Sequence, residues 1–329
     1  MIDIFKYFKG SLMILAIGLI AGYYYGGLTG LWTVGLLTIL EVSLSFDNAV
    51  VNAKVLKDMS YFWRQMFLYI GILIAVIGVR LFLPIVIVSV AVALPFSEVL
   101  TLAIEAPQTY SEHLKANEQV IFAFGGAFLL MLAMSYFIDG EKEEHWFNLL
   151  EDNRIIDRLV TLSAPTIAIL LGLGLIVFFN SLPITTAYFS GVALFLIMDS
   201  LGSSMSTALA KNGLIGFLYL EILDASFSLD GVISAFAISD NIIIIMIGLA
   251  VGAWFVRSLT IYFVEKDTLK EYKYLEPAAM YAIGFLAIML LLKLQFHIPE
   301  VLVGLTSAVL ILAGFTHSLV IKRGENGRV

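Results

Sequence analysis

The chain has 329 residues, of which 60% are hydrophobic and 14% charged, and its mean hydropathy is +0.96. A soluble domain is about 45–50% apolar and about 25% charged, so these figures exclude both a soluble globular enzyme and a disordered chain. The net charge of −7 excludes a basic nucleic-acid binder, and the absence of cysteine excludes disulfides, zinc clusters and thiolate sites.

Taken in chain order, ten apolar runs predict membrane-crossing helices over 10–26, 28–53, 63–92, 118–138, 165–180, 183–201, 212–238, 241–264, 277–295 and 299–321. The first resembles a signal peptide in having Lys6 and Lys9 before an apolar stretch. Tyr23-Tyr24-Tyr25 comes next instead of a small-residue cleavage site, which favours a retained span. Gly18, Gly22, Gly26 and Gly30 recur every fourth residue and predict close helix packing around a turn at 26–28. The third run contains Pro84 and is expected to be kinked, tilted or short. Glu98, Glu105 and Glu112 recur every seventh residue in the next loop and read as a solvated helix face. Within 139–164, acids and bases alternate with Trp146, Phe147, Leu149 and Leu150, which suits an amphipathic segment on the inner membrane surface. His113, His145, His297 and His317 share no metal-like spacing.

The positive-inside rule supports this division. With the N-terminus in the cytoplasm, fifteen Lys and Arg residues fall in inner loops and only Lys115 in an outer one; Arg80, Arg257 and Lys293 lie within spans. The expectation is an all-α polytopic protein of the cell membrane, the inner membrane of a bacterium, with ten spans and both ends cytoplasmic. It forms one transmembrane domain over 1–329.

Nine ionisable residues stand inside those spans: Glu41, Asp47, Arg80, Asp199, Glu221, Asp224, Asp230, Arg257 and Lys293. Each costs about 2.5–3.5 kcal/mol at a helix centre, so they must pair, face water or bind something. Six are acids and three are bases, and the surplus invites a cation or protons. Asp199 and Lys293 lie near span ends, where turn contacts, snorkelling or pairing satisfy them.

Four of the acids occupy two similar stretches. Glu41-Val42-Ser43-Leu44-Ser45-Phe46-Asp47-Asn48 superposes on Asp224-Ala225-Ser226-Phe227-Ser228-Leu229-Asp230-Gly231, so that Glu41 matches Asp224, Ser45 matches Ser228 and Asp47 matches Asp230. An arginine stands in the next span of each, Arg80 and Arg257. The two spans run in opposite directions, which predicts an inverted-topology internal repeat: 28–138, a connecting part 139–211, and 212–321. Glu41, Ser45, Asn48 and Asn52 share one helix face, as do Glu221, Asp224 and Ser228. Asp47 and Asp230 point about 240° away on an ideal helix. Either they serve another neighbour, or the helices break near Asn48 and Gly231 and lend carbonyl oxygens to one central site. Carboxylate, hydroxyl and amide oxygens without sulfur suit Mn²⁺, Mg²⁺ or Ca²⁺. Glu221 is open as ligand, proton carrier or partner of an arginine. Arg80 and Arg257 are expected to neutralise the acids, permanently or until a cation displaces them.

At these residues the chain resembles the TerC family of integral membrane proteins. The resemblance is carried by Glu41…Ser45-Phe46-Asp47-Asn48-Ala49 and Glu221…Asp224…Phe227-Ser228-Leu229-Asp230, with Gly71…Arg80, Phe124-Gly125-Gly126-Ala127-Phe128-Leu129, Gly248…Arg257 and the Lys293 region in support. It implies Mn²⁺ efflux from the cytoplasm by a non-enzymatic secondary transporter. Gly231 departs from the serine common in the second motif, and 139–211 matches less clearly. The expected partners are a divalent cation, protons and the lipid bilayer. The expected metal ligands are Glu41, Asp47, Asn48, Glu221, Asp224 and Asp230, supported by Ser45, Ser228, Arg80 and Arg257. Two other classes stay open: a membrane-embedded metal-dependent enzyme or metallation factor using the same acids, and a structural or sensory membrane partner. The lack of a nucleophile–base pair weighs against catalysis, and the buried acid surplus against a merely structural role.

Overall fold

The computed structural model describes the backbone of residues 2–57, 59–92, 94–138, 145–147, 163–204, 213–239 and 241–326. Among them every regular element is helical. In chain order the helices are α1 (Ile2–Leu44), α2 (Phe46–Lys57), α3 (Tyr61–Met66), α4 (Leu83–Val92), α5 (Phe96–Glu105), α6 (Pro107–Ala116) and α7 (Glu118–Ile138). Then come α8 (Ala164–Phe179), α9 (Leu182–Ser204), α10 (Leu214–Ile238), α11 (Ile242–Glu265), α12 (Thr268–Glu271), α13 (Leu275–Leu292) and α14 (Glu300–Asn326). Two π-helical stretches, Phe67–Gly71 and Ile74–Phe82, join α3 to α4. Six helices among the described residues are long and apolar enough to cross a bilayer: Phe5–Leu44, Glu118–Ile138, Leu182–Ser200, Ile242–Glu265, Leu275–Leu292 and Leu302–Lys322. Tyr24, Trp32, Val177 and Phe178 are each more than half exposed, a surface that lipid solvates and water does not. The chain is a polytopic membrane protein.

The described chain gathers into two compact units, Met1–Ile121 with Thr207–Glu265, and Phe122–Ser206 with Lys266–Val329. In the first, α1 is a hairpin of two arms joined at Gly27, whose φ of 61° and ψ of −148° suit glycine alone. The turn expected at 26–28 is there. A Cβ on Gly22 would lie 2.9 Å from the Gly30 carbonyl oxygen, while Gly18 and Gly26 leave room for Val251 and Ile244 of α11. The first arm runs antiparallel to α11, with the Tyr7 ring 5.5 Å from Tyr262 and Ser11 Oγ 2.7 Å from Ser258 Oγ. The second arm runs parallel to α11: Leu37 packs on Gly248, Glu41 on Gly252, and Phe46 of α2 on Phe263. Helix α2 ends where Arg64 donates from Nε to the Leu56 carbonyl (3.1 Å) and from Nη2 to the Lys57 carbonyl (3.2 Å).

Helix α10 runs antiparallel to the second arm and α2. Gly231 lies against Glu41, Asn52 bonds to Asp224, and Leu56 shares a buried cluster with Leu220. The segment from α3 to Phe82 runs parallel to α10, with Trp63 6.0 Å from Phe217 and Gly71 against Glu221. This segment bends by 41° between Tyr61–Gly71 and Ile74–Val86. The run that contains Pro84 is kinked, as expected, with the bend at the π-helical turns ahead of the proline, which is the second residue of α4. Glu98, Glu105 and Glu112 are all exposed, as a solvated face requires.

In the second unit α8 stops at Asn180, in the left-handed conformation (φ 45°, ψ 38°), and α9 folds back along it. Tyr188, fully buried, donates its hydroxyl to the Ala168 carbonyl at 2.9 Å. Gly191 of α9 admits the Phe124 carbonyl of α7, and Gly126 of α7 admits Leu290 and Leu291 of α13. Asp199 is exposed. Lys293 is buried, with Nζ 5.0 Å from the Phe122 ring centre. Most of the amphipathic segment expected at 139–164 lies outside the described residues. Within it Trp146 is buried and donates Nε1–H to Nδ1 of His317 at 3.0 Å.

Candidate cation site

All the expected ligands belong to the first unit. The second arm of α1 contributes Glu41, 1% exposed, which shares a face with Ser45, Asn48 and Asn52. One carboxylate oxygen, Oε1, accepts a 3.0 Å bond from Ser45 Oγ and the Nη2–H of Arg80. The other lies 3.1 Å from where a Cβ would stand on Gly231. A Cβ on Gly252 would come within 2.5 Å of the Glu41 Cβ and Cγ, so glycine there seats the acid against α11.

Arg80, 4% exposed, stands in the second π-helical stretch and turns its guanidinium inward. Its Nη1 donates to the carbonyl of Ala75, five residues earlier, at 2.9 Å. Its charge acts on Asp224 as well as on Glu41. Asp224 also accepts a hydrogen bond from the Asn52 side chain. One arginine is therefore bonded to the leading acid of the first motif and shares a cavity with that of the second, on antiparallel helices. A cavity of about 40 Å³ adjoins it, lined among others by Asn52, Gly71, Arg80, Asp224, Arg257 and Thr260. That is room for a cation or for one or two waters.

Around this point lie polar atoms that find no partner. Ten buried side-chain N and O atoms among the described residues lack a hydrogen bond, and eight of them belong to Asp47, Asn48, Asn52, Arg80, Glu221 and Ser228. Buried polar groups are otherwise almost always satisfied, and an orphan costs about 1–3 kcal/mol. Both oxygens of Glu221 are orphaned; its carboxylate rests against Gly71, where any Cβ would collide with Oε1. Asn52 Oδ1 is orphaned beside the cavity.

The structure departs from the sequence reading at three points. The helix break expected near Gly231 is not there, and the one expected near Asn48 falls three residues earlier, at Ser45. Helix α10 passes through Gly231 without interruption. In the first motif only Ser45 interrupts the helix, and its N–H still donates to the Glu41 carbonyl at 2.9 Å. Asp47 consequently stays off the Glu41 face: it is buried, its Oδ1 accepts the Asn48 N–H at 3.0 Å, and it does not line the cavity. Second, Arg257 pairs with no acid in the way Arg80 does. Its Nε donates to the Leu68 carbonyl, and its guanidinium lies 4.8 Å from the Tyr69 ring and 5.1 Å from Trp254. Aromatic faces and a backbone carbonyl satisfy it. Third, among the described residues no three His, Cys, Asp or Glu side chains are gathered closely enough to hold a metal ion. The Asp230 side chain lies outside the described residues. Asn52, absent from the expected ligands, is the residue that joins the two motifs; its position eleven after Glu41, on the same face, was the available signal.

Comparison with known proteins bears on the family. The sequence model of one family, described as "Protein of unknown function (DUF475)", matches residues 46–325. No curated protein and no solved structure matches the chain. The resemblance to TerC proteins is thereby corrected: the matched family is another, and the paired acid-serine-aspartate pattern is too short a signal to assign membership against a match of that length.

Proposed function

The chain belongs to the DUF475 family, whose description names no activity, and from its own residues we propose that it is a secondary transporter for a hard divalent cation. The observation that carries this reading is the meeting of Glu41 and Asp224, from antiparallel helices, at one buried arginine beside a cavity and several orphaned oxygens. A structural network would close its hydrogen bonds. This one leaves oxygen acceptors over.

In this proposal Glu41, Asp224, Asn52 and Glu221 supply the oxygens, with Asn48, Ser228, Asp47 and Asp230 along the same helices. Such a donor set takes Mn²⁺, Mg²⁺ or Ca²⁺. The choice of Mn²⁺ and of export over uptake loses the support of the family resemblance and rests on assay. Protons are the proposed counter-ion, since carboxylates that give up a cation in an apolar surrounding must take a proton or an arginine. The proposed frame is ten spans in the cell membrane with both ends cytoplasmic, and the antiparallel run of the two motifs supports an inverted repeat. No catalysis is assigned to it.

The test is flux of Mn²⁺, Mg²⁺ and Ca²⁺ into proteoliposomes, with an imposed pH gradient, for wild type, Glu41→Gln and Asp224→Asn. Wild-type flux of one ion and a drop of at least about tenfold in both variants is expected. Equal flux in folded variants removes the site. Absence of flux for all three ions, with metal still bound, transfers the case to a membrane-embedded enzyme or metallation factor using these acids.

A further inference from the structure

Resting on the transporter reading, we infer that Arg80 is a tethered competitor for the transported cation. Its guanidinium holds the place beside Glu41 and Asp224 that the cation takes, and the π-helical stretch that carries it is the hinge that withdraws it.

Charge counting gives the first reason. With both carboxyls ionised, Glu41 and Asp224 bring two negative charges to the site, and Arg80 returns one positive charge. A divalent cation in place of the guanidinium neutralises both acids. A monovalent cation gains nothing over Arg80, so the arginine sets a threshold that excludes Na⁺ and K⁺. In a low-dielectric site one uncompensated charge decides between ions, because desolvation costs several kcal/mol.

Ligand counting gives the second. A hard divalent ion takes six or more oxygens. With Arg80 seated, no group of three acids is assembled among the described residues. Yet Asn52 Oδ1, on a side chain 3% exposed that lines the cavity, has no partner, nor has either oxygen of Glu221 beside Gly71. Asn52 Oδ1 shares the cavity with the guanidinium, and Glu221 lies against Gly71 in the same cavity's wall; neither is bonded to Arg80. They complete a coordination sphere once it leaves.

The backbone supplies the means. A π-helical turn carries one residue more than an α-turn and marks functional sites in many helices. Arg80 stands near the end of Ile74–Phe82, tied through Nη1 to the Ala75 carbonyl within the same stretch. Returning this stretch to α-helical winding shifts its C-terminal end by one residue, a rotation of about 100°. That swings Arg80 off Glu41. Two discrete windings of one segment make a bistable element of the kind that couples binding to movement.

The experiment is calorimetric titration of Mn²⁺, with Na⁺ as control, into the full chain in lipid nanodiscs, for wild type, Arg80→Gln and Arg80→Lys. Arg80→Gln, which removes the competing charge, is expected to bind Mn²⁺ about tenfold more tightly and to gain measurable Na⁺ binding. Arg80→Lys, which keeps the charge, is expected to stay within about threefold of wild type. Binding in Arg80→Gln equal to or weaker than wild type overturns the inference and makes Arg80 a positioning residue for Glu41. If neither wild type nor Arg80→Gln binds Mn²⁺, Mg²⁺ or Ca²⁺, the transporter reading itself fails. Should Arg80→Gln not fold, hydrogen exchange on the wild type decides. Mn²⁺ is expected to alter amide exchange across 74–82, and unchanged exchange there overturns the displacement.

Discussion

Glu41 condenses the energetics of the site into one side chain. It is buried, takes two hydrogen bonds on one oxygen, and balances an arginine that is itself buried. Removing one member of a buried pair costs about 3–5 kcal/mol, because the other is left uncompensated. Asp224 remains near Arg80 and softens the loss. Glu41→Gln is therefore expected to lower stability by about 3 kcal/mol, read as a reduced thermal midpoint in detergent. A midpoint unchanged from wild type would mean that the pair contributes nothing to the fold. The arithmetic of six acids against three bases within the expected spans made such a pair legible in the sequence, and Arg80 was legible as its partner. The behaviour of Arg257 was not. Its partners are ring faces and a carbonyl, and neither aromatic contact nor a backbone carbonyl leaves a charge pattern to read.

At the scale of elements, the sharpest device is the α1 hairpin. Two apolar helices turn back on each other at one residue, and the turn needs a backbone conformation open only to glycine. Gly27→Ala strains that conformation by about 1–3 kcal/mol. There is space for the methyl group, since nothing lies within 4 Å of a Cβ there. The expected result is a loss of about 2 kcal/mol in thermal or chemical unfolding of the whole chain, and a neutral Gly27→Ala would show that the arms are held apart from the turn. The four-residue glycine spacing made this hairpin visible, because close helix packing demands small residues at helical period. A kink in the run that contains Pro84 was legible, but its place at the π-helical turns ahead of the proline was not, because a π-turn has no residue signature.

At the scale of the molecule, the proposed orientation rests on where lysine and arginine fall, and the chain is well suited to a direct test. It has no cysteine, so a single one introduced at the exposed Glu112 or at the exposed Lys270 is the only thiol present. A membrane-impermeant maleimide applied to intact cells should label Glu112→Cys and spare Lys270→Cys, with the reverse in inverted vesicles. Labelling of both from one side would refute the ten-span frame. The two compact units each draw on both halves of the sequence. An alternation of apolar runs does not reveal this, since it records the order of spans and not their neighbours.

By itself the sequence determined that this is a helical membrane protein, where its apolar runs lie, and that two acidic motifs carry more charge than a bilayer tolerates unpaired. Those are sums over local composition, and hydrophobicity and charge add along a chain without reference to its fold. Only the tertiary structure decided that one arginine serves both motifs, that Asn52 joins them, that Asp47 faces elsewhere and that Arg257 rests on aromatic rings. Those outcomes depend on which helix faces meet, and in a low-dielectric interior a shift of one residue changes which charges find a partner.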